Sequence, residues 1–510
     1  MIDDHKLVSD WTRKHQNHLF LLVAFAIPVA IRAIPEILMG PYIIGFDTMA
    51  IYVPNIMLWL HNGVNIGNFF AIGPLFYSII IPIVAAGGSP VWILKIISPI
   101  ILGFLGVSMY FYAERGLGWS SPKSSFVAIL GTVYFVALRT SWDLLREELS
   151  LIFFFVVLML MIKEKENSLK HYVLLSFAML AVVLADPIGA VIMFGMIMFT
   201  IIPKLLRRKY FQAANLIVVS LPATLYFVTV YLSGLTGTSV YSLLGANGVS
   251  SLVSWNGFTS YPAMLTSETL FFLYCYLPLL PLAVVSLRRF ENFQLRSWLL
   301  ISLILLLLPS IVSPYRWLLI LMYPLAFYVT ESVSRIKTIK WKRFRLTLYQ
   351  IAVSYLIIST AILSFGFIFM SPEHPFVYFD TQQLNRFASE IPSSMQQNTI
   401  SIVDCQSTVN ALQWFKNNEN CSALLLTHSV FYCWALLALN QDQIINYHFG
   451  DPGAAATVAV QDGHTDVFLI WWVKGHGWYG LSTLPPSFEE IYHSGKIAIY
   501  SYNETASPSK

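Results

Sequence analysis

The chain has 510 residues, of which 56% are hydrophobic and 11% are charged, and its formal net charge is +4. Soluble globular proteins carry roughly 25% charged residues, so this composition excludes a wholly soluble protein and predicts that most of the chain lies in lipid. The placement of the few charges is therefore more informative than their sum, and no nucleic-acid partner is expected.

Hydropathy divides the chain into two parts. Apolar runs close to the roughly 20 residues that cross a bilayer recur down to about residue 370, and shorter apolar runs between polar segments follow. We therefore predict a polytopic α-helical membrane domain over residues 1–370 and a small soluble α/β domain over residues 371–510. The first apolar segment, 19–38, lacks a small-residue cleavage site and is interpreted as a retained span.

Lysine and arginine residues are clustered, and the loops at 39–67, 186–188, 233–267 and 312–315 are almost without them. Because cytoplasmic loops carry the excess of Lys and Arg, these loops are predicted to be external and the clusters cytoplasmic. The same rule predicts a cytoplasmic N-terminus and an external C-terminal domain in a cell membrane. The basic clusters run from Lys6 to Lys14, Arg115 to Lys123, Lys163 to Lys170, Lys204 to Lys209, Arg288 to Arg296 and Arg335 to Arg345.

About eleven spans satisfy this topology. One further apolar stretch, 69–86, cannot cross by itself, because every later basic cluster would then be external. It is predicted to be a re-entrant or embedded segment on the outer side. The predicted spans are 19–38, 91–112, 124–140, 149–162, 172–185, 189–203, 212–232, 269–287, 298–311, 317–333 and 347–369.

The predicted topology gathers charged residues at the outer ends of the spans. Asp47 stands in the first external loop, within GFDTMAIYVPN, and no Lys or Arg is nearby in the sequence to neutralise it. Ionisable groups at membrane depth are costly, so they usually need partners or a function. The other outer charges are Arg139, Asp143, Arg146, Glu147, Glu148, Asp186, Glu268 and Arg316.

Several of these charges also have a local structural explanation. Asp143 and Glu147 are four residues apart and could cap a short interfacial helix. Asp186 precedes a proline, which is typical of a helix start. Glu268 could lie in the first turn of a helix, and Arg316 could bind lipid headgroups at the interface.

A functional interpretation joins the same residues. A carboxylate can accept the proton of an attacking hydroxyl, or hold a divalent cation against a pyrophosphate leaving group. Arginine can pair with a phosphate through two parallel hydrogen bonds. A site at the lipid boundary suits a donor whose phosphate is external and whose tail stays in the bilayer.

Five stretches between residues 20 and 335 follow one another in a recognisable order: GFDTMAIYVP (45–54), GPLFY (73–77), FYAERGLG (111–118), ALRTSWDLLREELSL (137–151) and PYRWLLILMYPL (314–325). This order resembles the GT-C superfamily of polytopic membrane glycosyltransferases, particularly archaeal members with a soluble C-terminal domain. Such enzymes take a sugar from a polyprenyl-phosphate carrier on the outer face and use an acid in the first external loop.

The resemblance implies roles for individual residues. Asp47 matches the first-loop acid, which is catalytic or metal-coordinating, and Arg316 matches an arginine placed to contact the carrier phosphate. The second-loop acids depart from the D-x-D or D-x-E spacing of oligosaccharyltransferases, and the W-W-D-x-G signature is absent. We assign catalysis to Asp47, Asp143, Glu147 and Glu148, and substrate binding to Arg139, Arg146, Glu268 and Arg316. The cofactor expected is a divalent metal ion, Mg²⁺ or Mn²⁺, on Asp47 and Asp143, and no other.

In the C-terminal part, short strands alternate with helices, which predicts a small α/β layer fold. Strands are predicted at 399–404, 421–427, 466–472 and 496–502, and helices at 407–418 and 486–494. No Gly-rich phosphate fingerprint follows a strand, so nucleotide binding is not expected. Glycosylation sequons at Asn420 and Asn503 agree with an external position, and a disulfide between Cys405 and Cys421 is not expected.

These features favour a glycosyltransferase that moves a sugar from a polyprenyl-phosphate donor to a protein, glycan or lipid acceptor at the external face. The alternative is a transporter or flippase of a lipid-linked or anionic substrate, which could use the same arginines and acids. Transporters often place charges inside their spans and are built from paired halves, which this sequence does not display. A structural subunit of a surface-layer or glycan-assembly complex would leave Asp47 unexplained.

Overall fold

The computed structural model describes residues 2–64, 66–162, 168–232, 260–307, 314–336, 347–369, 398–448, 450–474 and 484–503. The helices up to residue 206 are α1 Ile2–Leu38, α2 Val53–Asn62, α3 Ile66–Ala71, α4 Pro74–Ala85, α5 Pro90–Phe111, α6 Ser121–Val133, α7 Phe135–Asp143, α8 Leu145–Ile162, α9 Leu169–Ala185 and α10 Pro187–Leu206. Those from residue 210 are α11 Tyr210–Tyr226, α12 Tyr261–Tyr276, α13 Leu280–Leu287, α14 Phe293–Leu306, α15 Pro314–Ile320, α16 Met322–Arg335, α17 Leu348–Phe369, α18 Cys405–Asn418, α19 Ser429–Ala438 and α20 Pro452–Gln461. The strands are β1 Leu424–His428, β2 Ile444–His448, β3 Val467–Trp472, β4 Phe488–Ser494 and β5 Ile497–Tyr502.

The chain folds into two compact units that are not consecutive in sequence. The first unit comprises residues 1–38, 64–88 and 93–392, and the second comprises 39–63, 89–92 and 393–510. By these contacts the predicted first external loop groups with the C-terminal part, and the domain bounds 1–370 and 371–510 stay a prediction. The region of the expected boundary, 370–397, lies outside the described residues.

Many of the helices are long and apolar enough to cross a membrane. By length and composition, six helices in the described part qualify as spans, or up to eight if each of two bent pairs is one span. The chain is thus a polytopic helical membrane protein, whereas the count of about eleven spans stays a prediction. Part of the difference lies in predicted span 124–140, which is broken into α6 and α7 with a bend of 60°.

The stretch predicted to be embedded without crossing contains α3 and α4. Helix α4 has 12 residues, and at 1.5 Å per residue it reaches roughly 18 Å, short of the roughly 30 Å of a bilayer's hydrocarbon core. Its length agrees with a segment that does not cross by itself.

Helix α16 is the buried centre of the first unit. Every residue from Met322 to Val333 is buried, and the helix packs against α6, α13, α14 and α17. A helix covered on all sides is a core element rather than a lipid-facing one. It therefore provides a fixed support for the outer helices, including α15, which directly precedes it in the chain.

The second unit contains one mixed sheet with the strand order β2-β1-β3-β5-β4. Strand β1 pairs in parallel with β2 and β3, whereas β5 pairs antiparallel with β3 and β4. All residues of β1 and β3 are buried, because helices α19 and α20 pack on this central part. The predicted small α/β domain is confirmed in this coarse form.

The individual elements of this unit are partly as predicted. The helix at 407–418 is confirmed by α18, and the strands at 421–427, 466–472 and 496–502 are confirmed by β1, β3 and β5. The strand at 399–404 is wrong, because a short 3₁₀ turn occupies residues 402–404. The helix at 486–494 is also wrong, because FEEIYHS pairs along β5 as an edge strand that leaves both glutamates exposed.

His428 joins the sheet to helix α19. It ends β1, and its ring Nδ1 accepts a hydrogen bond from the N–H of Val430 at 3.4 Å, which caps the helix. The ring lies 5.4 Å from Trp471 and 5.8 Å from Tyr447, and it is 2% exposed. Burial lowers the pKa of His428 to about 4, so the neutral ring with an accepting nitrogen is the native form.

We expect the second unit to lose stability as the pH falls from about 6.5 toward about 4. The unfolded chain takes up a proton on this histidine near its ordinary pKa of roughly 6.5, and the folded one does so only near 4. His428→Asn keeps a capping side chain without a titrating ring. The melting temperature of the variant should therefore decrease less between pH 7 and pH 4.5 than that of the parent. Equal decreases would contradict this role.

Candidate active site

The predicted second-loop acids lie where the chain turns between α7 and α8. The turn is made by Leu144, whose N–H donates to Thr140 at 2.7 Å and whose carbonyl accepts from Glu148 N at 2.9 Å. It leaves Asp143, Glu147 and Glu148 almost completely buried. Three carboxylates in such surroundings require compensating cations.

Arg139 and Asp143 form an ion pair within α7. They are separated by one helical turn, and their side chains are 1% and 0% exposed. In the described part of the chain, Nε and Nη1 of Arg139 have no hydrogen-bond partner. The substrate-binding role of Arg139 stays a prediction, and the structure gives its guanidinium a partner within its own helix.

Arg316 of α15 lies beside Glu147 of α8, although 169 residues separate the two in the sequence. Its Nη1 donates to Glu147 Oε1 at 3.1 Å, and α15 packs against α7. The arginine side chain is 28% exposed, whereas the glutamate is 1% exposed. The pair thus has a buried acid that holds a partly exposed cation in a fixed orientation.

Glu148 is the most isolated of the three acids. It is 0% exposed, and neither carboxylate oxygen has a hydrogen-bond partner among the described residues. The nearby charged groups that act on it are Arg32 and Glu147, and Tyr323 of helix α16 is also within electrostatic range. A carboxylate in this position depends on Arg32 for compensation.

Arg32 belongs to a buried group that the sequence analysis did not identify as functional. Its Nη1 bonds Glu36 Oε1 at 2.8 Å, and its Nε and Nη2 both lie 3.4 Å from the carbonyl of Ser141 in α7. Lys95 of α5 donates to the carbonyl of Glu36 at 2.6 Å. Opposite charges four residues apart inside an apolar span were the available signal, because such residues need a partner.

Arg146 and Asp186 are held by backbone groups. Arg146 Nη1 donates to the carbonyl of Ile72, next to Gly73, which has a φ of +87° and no room for a side chain because a Cβ would lie 2.4 Å from the carbonyl of Ala185. Asp186 Oδ1 accepts from the N–H of Ile188 at 2.7 Å, which confirms the predicted helix start.

Glu268 lies within α12, far from its first turn. The helix begins at Tyr261 with Ser260 as its cap, so the local explanation of Glu268 as a first-turn acid is wrong. Glu268 is 1% exposed, and its carboxylate oxygens have no hydrogen-bond partner in the described residues. Helix α12 packs against α15, the helix that carries Arg316.

Asp47 belongs to the second unit. Gly45 has a φ of +122°, which turns the backbone before Asp47, and a π-helical turn follows from Thr48 to Tyr52. Asp47 is partly exposed, whereas Thr48 and Met49 are buried. The second-loop acids that share its predicted catalytic role belong to the first unit, so the joint assignment stays a prediction.

The divalent metal ion assigned to Asp47 and Asp143 stays a prediction, because the two residues belong to different units. The described residues include no group of three or more His, Cys, Asp or Glu side chains that could hold an ion. Asp143 is fully buried against Arg139, so a cation there would have to displace a guanidinium.

No protein-family model matches the chain, and no curated protein matches it. Among solved structures, the chain is similar to ArnT from Cupriavidus metallidurans bound to undecaprenyl phosphate, with a TM-score of 0.55, 12% identity, and coverage of 96% of this chain and 99% of that chain. It is also similar to the same ArnT in the apo state, with a TM-score of 0.53, 11% identity, and coverage of 99% and 100%.

These similarities establish the fold over almost the whole chain. The chain therefore shares the fold of that ArnT, and the predicted resemblance is confirmed as a likeness of fold. The narrower resemblance to archaeal members has no support in these comparisons.

The Arg139–Asp143 pair generates a test of stability. Arg139→Met should destabilise the protein by about 3–5 kcal/mol, because it leaves the buried Asp143 charge without this cation. Arg139→Met combined with Asp143→Leu should recover most of that loss, since an apolar pair can replace a buried ion pair. The yield and melting temperature of purified protein measure both effects. A single variant as stable as the parent would contradict the importance of the pair.

Proposed function

We propose that this protein is a membrane glycosyltransferase that moves a sugar from a polyprenyl-phosphate donor to an acceptor at the external face. The observation that carries the proposal is the partly exposed Arg316, which is held by buried Glu147. The fold around this pair is similar over almost its whole length to an ArnT bound to undecaprenyl phosphate. A cation held in this way suits the phosphate of a lipid whose tail remains in the bilayer.

The proposed orientation follows from the distribution of basic residues. The N-terminus is cytoplasmic and the second unit is external, because the Lys- and Arg-rich clusters then lie in the cytoplasm. Asp47 and Arg316 consequently act at the outer surface.

The proposed reaction exchanges one bond at the anomeric carbon of the sugar for another. The acceptor hydroxyl attacks this carbon, its proton passes to the Asp47 carboxylate, and the bond to the carrier phosphate breaks with its electron pair on the departing oxygen. Arg316 binds that phosphate through its planar guanidinium and stabilises the charge that develops on it.

The second-loop acids have supporting roles in this proposal. Glu147 fixes the orientation of Arg316, and Asp143 pairs with Arg139 inside α7. Their burial explains why they suit positioning better than proton transfer with substrate. Of the residues assigned to catalysis from the sequence, Asp47 is the one that we propose as the acid-base group.

The function itself is tested with purified protein and a panel of polyprenyl-phosphate sugars. Carrier-dependent release of polyprenyl phosphate, together with labelling of an added acceptor, would support transfer. Movement of intact lipid-linked sugar between leaflets without release of the carrier would instead support the flippase alternative.

Asp47→Asn should lower turnover by roughly 10²-fold, the scale for loss of a positioned acid-base group, and leave the melting temperature almost unchanged. Asp462→Asn, an exposed aspartate of the same unit, is the matched control and should transfer like the parent. In sealed right-side-out vesicles, Asp47→Cys combined with Cys421→Ser, which removes the exposed cysteine of the same unit, should react with a membrane-impermeant thiol reagent. Near-parental transfer by Asp47→Asn would remove Asp47 from the mechanism.

Arg316→Lys should weaken donor binding by roughly tenfold, because lysine keeps the charge but loses a two-pronged hydrogen bond. Arg316→Ala should weaken it further while the protein remains folded. Titration with polyprenyl phosphate measures both, and Arg207→Lys, at an exposed position after α10, is the control. If Arg316→Ala binds the carrier like the parent, Arg316 does not contact the phosphate.

A further inference from the structure

The loop that carries Asp47 packs on the C-terminal α/β fold within the second unit. The π-helical turn Thr48–Tyr52 and helix α2 both pack on α19. Tyr42 contributes an edge-to-face contact to Trp434 at 5.6 Å, and its hydroxyl donates to Gln406 Oε1 at 2.7 Å. Nearer to Asp47, the sulfur atoms of Met49 and Cys433 lie 4.0 Å apart.

A chain of buried hydrogen bonds crosses the same contact. Asn398 Nδ2 donates to the carbonyl of Ile43 at 2.8 Å, and Asn398 Oδ1 accepts from the N–H of Thr399 at 2.7 Å. The hydroxyl of Thr399 accepts in turn from Trp434 Nε1 at 3.1 Å. Asn398 is 1% exposed and Thr399 is 0% exposed, so water cannot easily replace either bond.

These contacts fix the backbone on both sides of Asp47. Ile43, held by Asn398, comes just before Gly45, which turns the chain, and Met49 comes just after Asp47. The neighbours Ile44 and Met49 are each 1% exposed, whereas Asp47 itself is only partly buried. The loop is therefore anchored by its apolar side chains and leaves the carboxylate at the surface.

We infer that the C-terminal α/β fold serves as the support that positions Asp47, with Asn398 and Trp434 as positioning residues. This inference rests on the proposed function, because it takes Asp47 as the acid-base group. A carboxylate on an unsupported loop would sample many orientations, and a displacement of about 1 Å can cost roughly 10²-fold in rate. The buried hydrogen bonds limit these orientations before substrate binds. They come from Asn398, which is 355 residues from Ile43 in the sequence.

The first test is kinetic. Asn398→Ala should lower kcat by roughly tenfold or more and change the KM for the polyprenyl-phosphate donor less than twofold, because the Asn398 side chain is buried against the loop. Trp434→Phe, which keeps an aromatic ring against Tyr42 but loses the bond to Thr399, should have a smaller effect. Asn418→Ala, whose side chain bonds only its own helix at the carbonyl of Trp414 in the described part, is the control and should retain parental kcat.

The second test separates positioning from general damage. If Asn398 acts through Asp47, then Asn398→Ala combined with Asp47→Asn should be no slower than Asp47→Asn alone. Multiplying rate losses in the double variant would overturn the inference. A kcat of Asn398→Ala equal to that of the parent would do the same.

The third test does not depend on activity. Hydrogen–deuterium exchange of the backbone amides at 43–52 should increase in Asn398→Ala and stay unchanged in Asn418→Ala, while exchange in α5 and α8 of both variants stays parental. Unchanged exchange at 43–52 would overturn the inference, because the loop would then not need this anchor. If exchange rises but no panel donor is used by the parent protein, the proposed function fails and the anchoring role of Asn398 stands.

Discussion

The balance of buried charges at the turn between α7 and α8 is the constraint on which the rest of the candidate site depends. Burying three carboxylates within six residues is unfavourable unless cations accompany them. The structure supplies these cations from several helices: Arg139 from α7 itself, Arg316 from α15 and Arg32 from α1. Electrostatic compensation therefore fixes α1, α7 and α15 relative to one another, which hydrophobic packing alone would do less specifically.

The need to compensate buried charges extends to Arg32 and its neighbours in α1 and α5. Arg32 is itself compensated by Glu36, and Glu36 is contacted by Lys95 of α5, so the charges form a chain that reaches from α5 through α1 to α7. Each of these groups is nearly inaccessible to water. If one of these side chains moved away, its partner would be left as an unpaired charge in a medium of low polarity, which is unfavourable. The charged side chains are therefore held in one arrangement. Stiffness of this kind is what a phosphate-binding arginine needs if it is to bind without reorganisation.

The second unit holds a partly exposed acid, Asp47. The loop that carries Asp47 is held by apolar packing and a few hydrogen bonds to the C-terminal α/β fold. A loop with apolar residues on one side and a carboxylate on the other gains stability from the burial of the first and leaves the second accessible. The C-terminal fold thus takes part in the candidate mechanism although it carries none of the residues that the sequence assigned to the site.

The sequence by itself determined the membrane class, most of the helices and the residues worth testing. Low charge content and long apolar runs can only be accommodated in lipid, and charges within or beside such runs are rare enough to identify Asp47, Arg316 and the acids of α8. Alternation of strands and helices likewise determined the class of the C-terminal fold. The segment FEEIYHS was predicted to be a helix and is a strand, because pairing with β5 decides its conformation. Only the tertiary structure decided which groups lie together. Glu147 pairs with an arginine 169 residues away, and Arg32 approaches the carbonyl of Ser141. The first external loop joins the C-terminal unit. These pairings depend on which helix faces pack together, and a pattern of hydropathy along one helix does not specify its neighbour, because every apolar face can be buried equally well against several others.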